Sequence, residues 1–417
     1  MDMSEATSQM GERMKTPASI QIPDERGFTL SEMMLAVTMS AAIIAAGFGA
    51  MTVSQKTARA NGQAVNTQSA ARTALDMISA DLKLAGFGTQ GMATPVGNCA
   101  INGTPSALVP ADNNPLGGDF GPDAISIVVP MTNSIAAVGA LWQLAADIGP
   151  GFNAITMPAG ATTAMGNAIP GGALALPGMD VSIGGAAWSR IAAVAGAGLT
   201  LNPAIPAPVQ FGAGTQVYLL QCITYQVIPP PDALGLCQGN APCLVRGVAP
   251  AGVGGPPNCI NPGNACVPIM DGVEDLQLSY ACDGCSPTIN SGNQDGQVDD
   301  LDGSNSFSPG DFISNLNWFA PAAPFSSAYM TPSKIRLVQV TLVARQTRVD
   351  QGTGEVNQVQ VNFGGTNGAV PIIGGDHNTA NGVFAAGDNA TPAQQQAYLQ
   401  FRRRILTRTV ELRNQRA

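Results

Sequence analysis

Arg26-Gly27-Phe28-Thr29-Leu30-Ser31-Glu32 opens onto residues 33–54, a run of 22 residues with no charged side chain. As a helix rising ~1.5 Å per residue, such a run is long enough to cross a bilayer core. The first 26 residues are polar and of mixed charge, ending Asp24-Glu25-Arg26. A removable secretory signal would show a small-residue cleavage site and a clear break after the apolar run. None follows. The helical pattern continues through Gln55, Lys56 and Arg59 into Ala71, Leu75, Ile78, Leu82 and Ala85. Spacings of 4, 3, 4 and 3 place these five side chains on one stripe of a helix. Arg72, Asp76, Asp81 and Lys83 fall mostly off the stripe. One helix is therefore expected over 28–86, apolar all round in its first half and amphipathic in its second. Gly86 and Gly88 are expected to stop it.

Gly27, Phe28, Thr29, Leu30 and Glu32, set before an apolar span, resemble the type III signal of type IV prepilins. The resemblance implies a leader over 1–27, cleaved by a prepilin peptidase on the cytoplasmic side after Gly27. Phe28 then becomes an N-methylated first residue and Glu32 the fifth, which in that family guides assembly. A carboxylate at the start of a lipid-facing helix is costly, and a cation such as a neighbouring subunit's Phe28 amine offsets much of that cost. The rival reading is a plain transmembrane anchor, about 33–54, whose Glu lies at the water interface.

Past Gly88 the sequence changes to short apolar runs between turn residues. Strands are expected at 124–129, 154–157, 173–176, 179–183, 198–201, 216–228, 276–280, 335–344, 356–363 and 404–412. Several of them alternate as half-buried antiparallel strands do. Residues 89–120, 229–268 and 364–390, rich in Gly, Pro, Asn and Ala, read as long loops or small insertions. Thr391-Pro392 reads as the start of a short helix over 393–401. The expected fold class is α+β: a long N-terminal helix whose second half packs on a β-rich antiparallel domain, 87–417.

Three internal stretches are similar to PilW-type minor pilins. They are Asp271-Gly272-Val273-Glu274-Asp275-Leu276-Gln277-Leu278-Ser279-Tyr280, Ile335-Arg336-Leu337-Val338-Gln339-Val340, and Arg403-Arg404-Ile405 with Val410-Glu411-Leu412-Arg413-Asn414. Residues 90–215 resemble nothing named. The resemblance implies a minor pilin of a type IV pilus, anchored in the inner membrane before it joins an extracellular filament. Its implied partners are other pilins and minor pilins, the prepilin peptidase and the inner-membrane assembly machinery. A J-type pseudopilin of a type II secretion system would share the N-terminus, and a tip adhesin or DNA-uptake pilin is a third reading.

Eight cysteines are present: Cys99, Cys222, Cys237, Cys243, Cys259, Cys266, Cys282 and Cys285. Seven cluster between 222 and 285 in loop-rich sequence, which suits disulfides made outside the cytoplasm. The close pairs 237/243, 259/266 and 282/285 could close small loops, leaving Cys99 with Cys222, although eight cysteines allow 105 connectivities. A four-Cys zinc site is the rival use of these thiols.

Residues 291–302 carry spacing similar to a calcium loop, with Ser291, Asn293, Asp295, Gln297 and Asp302 at ligand positions and Gly296 at the turn. Ser at the first position and Asp at the last depart from the pattern, and a solvated acidic turn is the alternative. Calcium is the one candidate cofactor.

The formal charge is −9, made of −14 over the first 400 residues and +5 over 401–417, where six Arg face one Glu. That basic end could touch nucleic acid or anionic lipid. The preferred reading is that these Arg alternate along one exposed strand face or pair with acidic loops, and no nucleic-acid partner is assumed. The sole histidine, His377, has no cluster around it, and neither Gly-x-Ser-x-Gly nor a Gly-Lys-Ser/Thr phosphate loop occurs. Cys282-x-x-Cys285 has redox spacing but no thioredoxin-like βαβ context. No enzyme is expected.

Overall fold

The computed structural model describes residues 28–101, 103–111, 122–131, 142–169, 175–205, 207–228, 235–238, 241–248, 259, 265–285, 294–301, 303–312, 332–346 and 403–414. Helix α1 is Leu30–Leu84, 55 residues. The chain divides into two compact units, Met1–Ala58 and Arg59–Ala417, so α1 contributes to both.

In the first unit, the described residues are the start of α1. Its large apolar side chains, from Phe28 and Leu30 to Met51 and Val53, are all more than half exposed. It is the one described helix long and apolar enough to cross a membrane.

In the second unit, α1 becomes a seated helix. The stripe read from the sequence is the buried face: Ala71, Leu75, Ile78, Leu82 and Ala85 are all buried, joined by Ala74. Small and branched side chains at these spacings let the helix lie close on a sheet and remove its apolar area from water. Gly86 and Gly88 end the helix with φ of 78° and 71°, a left-handed conformation that side chains with a Cβ resist. The Gly86 N–H turns to the Val128 carbonyl of the large sheet, 3.1 Å away.

Fourteen short or long strands follow among the described residues. β1 (Ala100–Ile101) and β2 (Thr104–Pro105) form a small ribbon. A nine-stranded sheet is built on β9 (Val217–Ile228). One half of β9 pairs with β6 (Asp180–Ile183), the other with β10 (Cys243–Val248), and its middle with β4 (Ala124–Pro130), which in turn pairs with β3 (Leu108–Ala111). Beyond β10 lies β11 (Ala265–Asp271), and beyond β6 lie β7 (Ala187–Ala195), β8 (Gly198–Asn202) and β5 (Ala154–Thr156). A third sheet runs β12 (Val273–Cys282), β13 (Ile335–Arg345) and β14 (Arg403–Glu411), all antiparallel. The fold is α+β, as the sequence patterns indicate.

Two main cores result. The first joins the α1 stripe to Ile125, Ile127, Ile223 and Tyr225 of the large sheet and to Leu276, Leu278, Val338, Val340, Leu342 and Val410 of the three-stranded sheet. The second belongs to a lobe within residues 142–219, where Trp142, Met157, Ile183, Ile191, Leu199 and Leu219 meet the short helix α2, Ala161–Asn167.

Several expectations need correction. The stretches 89–120 and 229–268 are not only loops, since β1, β2, β3, β10 and the start of β11 lie in them. These strands are two to seven residues long, and β2, β3 and β11 contain Pro105, Pro110 and Pro268, so alternation has little length in which to show. β7 was hidden for another reason: Ala-Trp-Ser-Arg-Ile-Ala-Ala-Val-Ala lacks the β-branched density of a strand, and pairing with β6 and β8 overrides its alanines. Residues 175–176, the described part of the strand expected at 173–176, are not in a strand. The strand expected at 356–363 and the helix expected at 393–401 lie outside the described residues.

Candidate assembly site

The start of α1 is locally specified by Thr29-Leu30-Ser31-Glu32. The Thr29 hydroxyl and backbone N–H both donate to Glu32 Oε2, at 2.8 and 3.0 Å, and the Glu32 N–H donates back to Thr29 Oγ1 at 3.3 Å. This is a reciprocal capping box, which occupies donors that the first helical turn would otherwise leave unpaired. Glu32 therefore has a structural task at the helix start beyond any role in assembly. Phe28 and Glu32 are both exposed there, and Gly27 lies outside the described residues.

Where α1 enters the second unit, charged contacts fix its register. Asp81 is buried. Its Oδ2 accepts from the Tyr225 hydroxyl at 2.5 Å and from Arg246 Nε at 3.0 Å, tying the helix to β9 and β10. Burial and the neighbouring Asp81 carboxylate push the Tyr225 phenol upward, so it stays a donor. On the side of the three-stranded sheet, Arg408 pairs with Asp76 and Asn414 Nδ2 donates to the Lys83 carbonyl at 3.0 Å. The sequence showed Asp81 as a charged residue beside the stripe. Its partners lie 144 and 165 residues away, which no local pattern reveals.

Two arginines of the basic end, Arg403 and Arg408, are paired within the chain. Glu274 lies between Arg345, at 3.2 Å, and Arg403, at 2.5 Å, linking all three strands of the small sheet. Arg402 and Arg416 lie outside the described residues.

All four disulfides have described geometry: Cys99–Cys222, Cys237–Cys243, Cys259–Cys266 and Cys282–Cys285. No cysteine is free, so no thiolate is left for zinc. The sulfurs of Cys282 and Cys285 lie within 4.8 Å of an Asp299 oxygen. The two Asp299 oxygens accept the N–H groups of Gly284 and Cys285, at 3.1 and 2.6 Å, and so close the loop around the disulfide.

Of the calcium-loop residues, Asp295 and Gln297 are described, while Ser291, Asn293 and Asp302 lie outside the described residues. Asp295 Oδ1 accepts the Gln297 N–H at 2.9 Å, which is the geometry of an Asx turn. Asp283, which the spacing did not single out, organises this stretch. It accepts the N–H groups of Asp295 and Gly296 at 3.0 and 3.1 Å and pairs with Arg336 at 2.9 Å.

One buried acid stands apart from these networks. Asp275 on β12 is 1% exposed, its Oδ1 accepts from the Gln277 amide at 3.0 Å, and its Oδ2 has no partner. Burial raises its pKa to about 7, against the opposing Gln277 hydrogen bond. Its folded-state pKa thus lies above the unfolded value of 3.8. The folded state then holds the proton more tightly, so this group's contribution is fully present below that value and is lost as pH rises through about 7. Asp275→Asn is expected to be the more stable form at pH 8, with the advantage vanishing near pH 4. Chemical denaturation of both proteins across that range measures it, and a difference independent of pH would contradict it.

Together these features define a class: an exposed apolar N-terminal helix, continued into a head that it helps to build. Residues 258–414 match the family model of PilW, type IV pilus-assembly protein W, and so support a type IV pilus-related protein. The match spans the whole three-stranded sheet, from β12 to β14. No curated protein and no solved structure matches the chain.

Proposed function

We propose that the chain is a minor pilin subunit of a type IV pilus, acting in assembly priming or in the tip complex. It is made as a prepilin, cut after Gly27 and methylated on Phe28. The exposed apolar part of α1 holds the subunit in the inner membrane. In the filament it packs among the same helices of other subunits, so protein contacts replace lipid contacts as the subunit leaves the bilayer. Glu32 meets the free amine of a neighbouring Phe28 there.

The observation that carries this reading is a coincidence of place. The residues similar to the pilus-assembly family include the three-stranded sheet, which shares a core with the α1 stripe, and α1 begins with an exposed apolar stretch opening on Phe28 and Glu32. The lobe at 142–219 and the four disulfides make a large head, which favours a minor over a bulk subunit, since such a head repeats poorly at high density.

The test is to shear surface filaments from cells making this chain and from cells making Glu32→Ala. The chain is expected in the sheared fraction of the first. The variant is expected to stay in the membrane with pilus numbers sharply reduced. Normal pilus numbers with Glu32→Ala would contradict the assembly role.

A further inference from the structure

The sheets of this head differ in how their edges are closed. β11 carries Pro268 and a register shift against β10, both of which disfavour a further strand. β5 and β3 are three and four residues long, and β3 contains Pro110. The outer edge of β12 is plugged. The Asp123 N–H donates to the Leu276 carbonyl at 2.7 Å, the Asp123 carboxylate accepts the Leu278 N–H at 2.7 Å, and the Asp299 N–H donates to the Cys282 carbonyl at 2.8 Å.

Among the described residues, β14 has none of these devices. It is nine residues long, has no proline, and keeps unbroken register with β13 from Arg345↔Arg403 to Leu337↔Glu411. No described strand lies on its other side. The Leu412 N–H goes to the Arg336 carbonyl at 2.8 Å, which sets the alternation of an antiparallel ladder. Val410, Arg408, Leu406 and Arg404 therefore bond β13, and the backbone groups of Ile405, Thr407, Thr409 and Glu411 point to the open edge. Thr407, Thr409 and Glu411 are exposed, and the exposed cations Arg404 and Arg413 lie near the two ends of the strand.

We propose that the outer edge of β14 is a docking site for an extended acidic segment of a partner protein, which joins the sheet as its fourth strand. Main-chain hydrogen bonds hold such a segment, and alternate side chains give it specificity. Acidic rather than basic segments fit because Arg404 and Arg413 outnumber Glu411 among the exposed charges of this edge. The inference depends on the edge alone and stands whether or not the chain enters a pilus.

The probe is a fluorescein-labelled peptide, Glu-Val-Thr-Val-Glu-Val-Thr, titrated into the full chain in detergent and read by anisotropy. Saturable binding is expected, weakening as salt rises, with the Lys-for-Glu peptide binding less well. Thr409→Pro removes an edge N–H without touching a bond to β13 and is expected to weaken binding at least about tenfold. Thr409→Val keeps that N–H and is expected to bind as the wild type does. Both variants lose the 3.2 Å bond from Gln339 Nε2 to the Thr409 hydroxyl, so their comparison isolates the edge. Absence of binding, equal binding of the basic peptide, or Thr409→Pro binding as tightly as Thr409→Val would overturn the proposal. So would a dimer of the chain alone that Thr409→Pro dissolves, since the edge would then serve a second copy.

Discussion

Removing the Cys99–Cys222 disulfide by the double change Cys99→Ala/Cys222→Ala is expected to cost about 5 kcal/mol of stability, from the chain entropy released by a loop of this length. The bond closes 123 residues, whereas the other three close separations of 6, 7 and 3. The same estimate gives about 2 kcal/mol for each short pair. Location adds to the difference. Cys99 and Cys222 are fully buried beside Val96, Val128, Trp188 and Leu220, so the bond fastens the segment after α1 to the middle of β9. Denaturant unfolding of the oxidised chain measures the ranking. A double variant as stable as the wild type, with a larger loss at Cys237/Cys243, would show that this long tie does not constrain the head.

Asp81→Ala is the second large effect, expected at about 3–5 kcal/mol because it leaves a buried cation and a buried hydroxyl without their acceptor. The Arg246 side chain is only 17% exposed, so water replaces the lost carboxylate poorly. Tyr225 is fully buried and would lose its 2.5 Å bond outright. Asp81→Asn keeps an oxygen at the same place and is expected to cost less. Leu82, one position along, contributes by packing alone, so Leu82→Ala removes only apolar area and leaves no charge stranded. If Asp81→Ala were no worse than a change at exposed Asp76, the three-way contact would not be holding α1 in register.

What the sequence made legible follows from the range of each interaction. The helix was legible because its apolar stripe repeats within a few residues, from Ala71 to Ala85, and because Gly86 and Gly88 mark its end locally. The strands β9, β13 and β14 were legible because Val, Ile, Leu and Thr alternate over nine or more residues, while β12 was read only over 276–280 of its ten residues. In the lobe at 142–219, β5, β6 and β8 were legible as short apolar runs between turns, but β7 was not, because it is alanine-rich and becomes a strand by pairing with β6 and β8. The Asp81–Tyr225–Arg246 contact joins residues from three separate parts of the chain and leaves no trace in any window of sequence. The acidic stretch around Asp295 shows a different difficulty. Asp-Gly spacing that suits a cation also suits backbone capping, and the described carboxylates of Asp283, Asp295 and Asp299 all accept main-chain N–H groups.

The same logic bears on Glu32. The resemblance to the prepilin signal implies a role for it at the N-terminus, and the structure adds that it caps its own helix through Thr29. A change there removes the cap as well as any contact with another subunit. Glu32→Gln retains a capping acceptor but no charge, so it separates the two contributions in the filament assay.

The most direct measurement is the intact mass and N-terminal sequence of the chain recovered from sheared filaments. The account predicts a first residue of N-methylated Phe28, with residues 28–58 still attached to the head. A mature chain that begins beyond residue 54, with the apolar stretch gone, would contradict it.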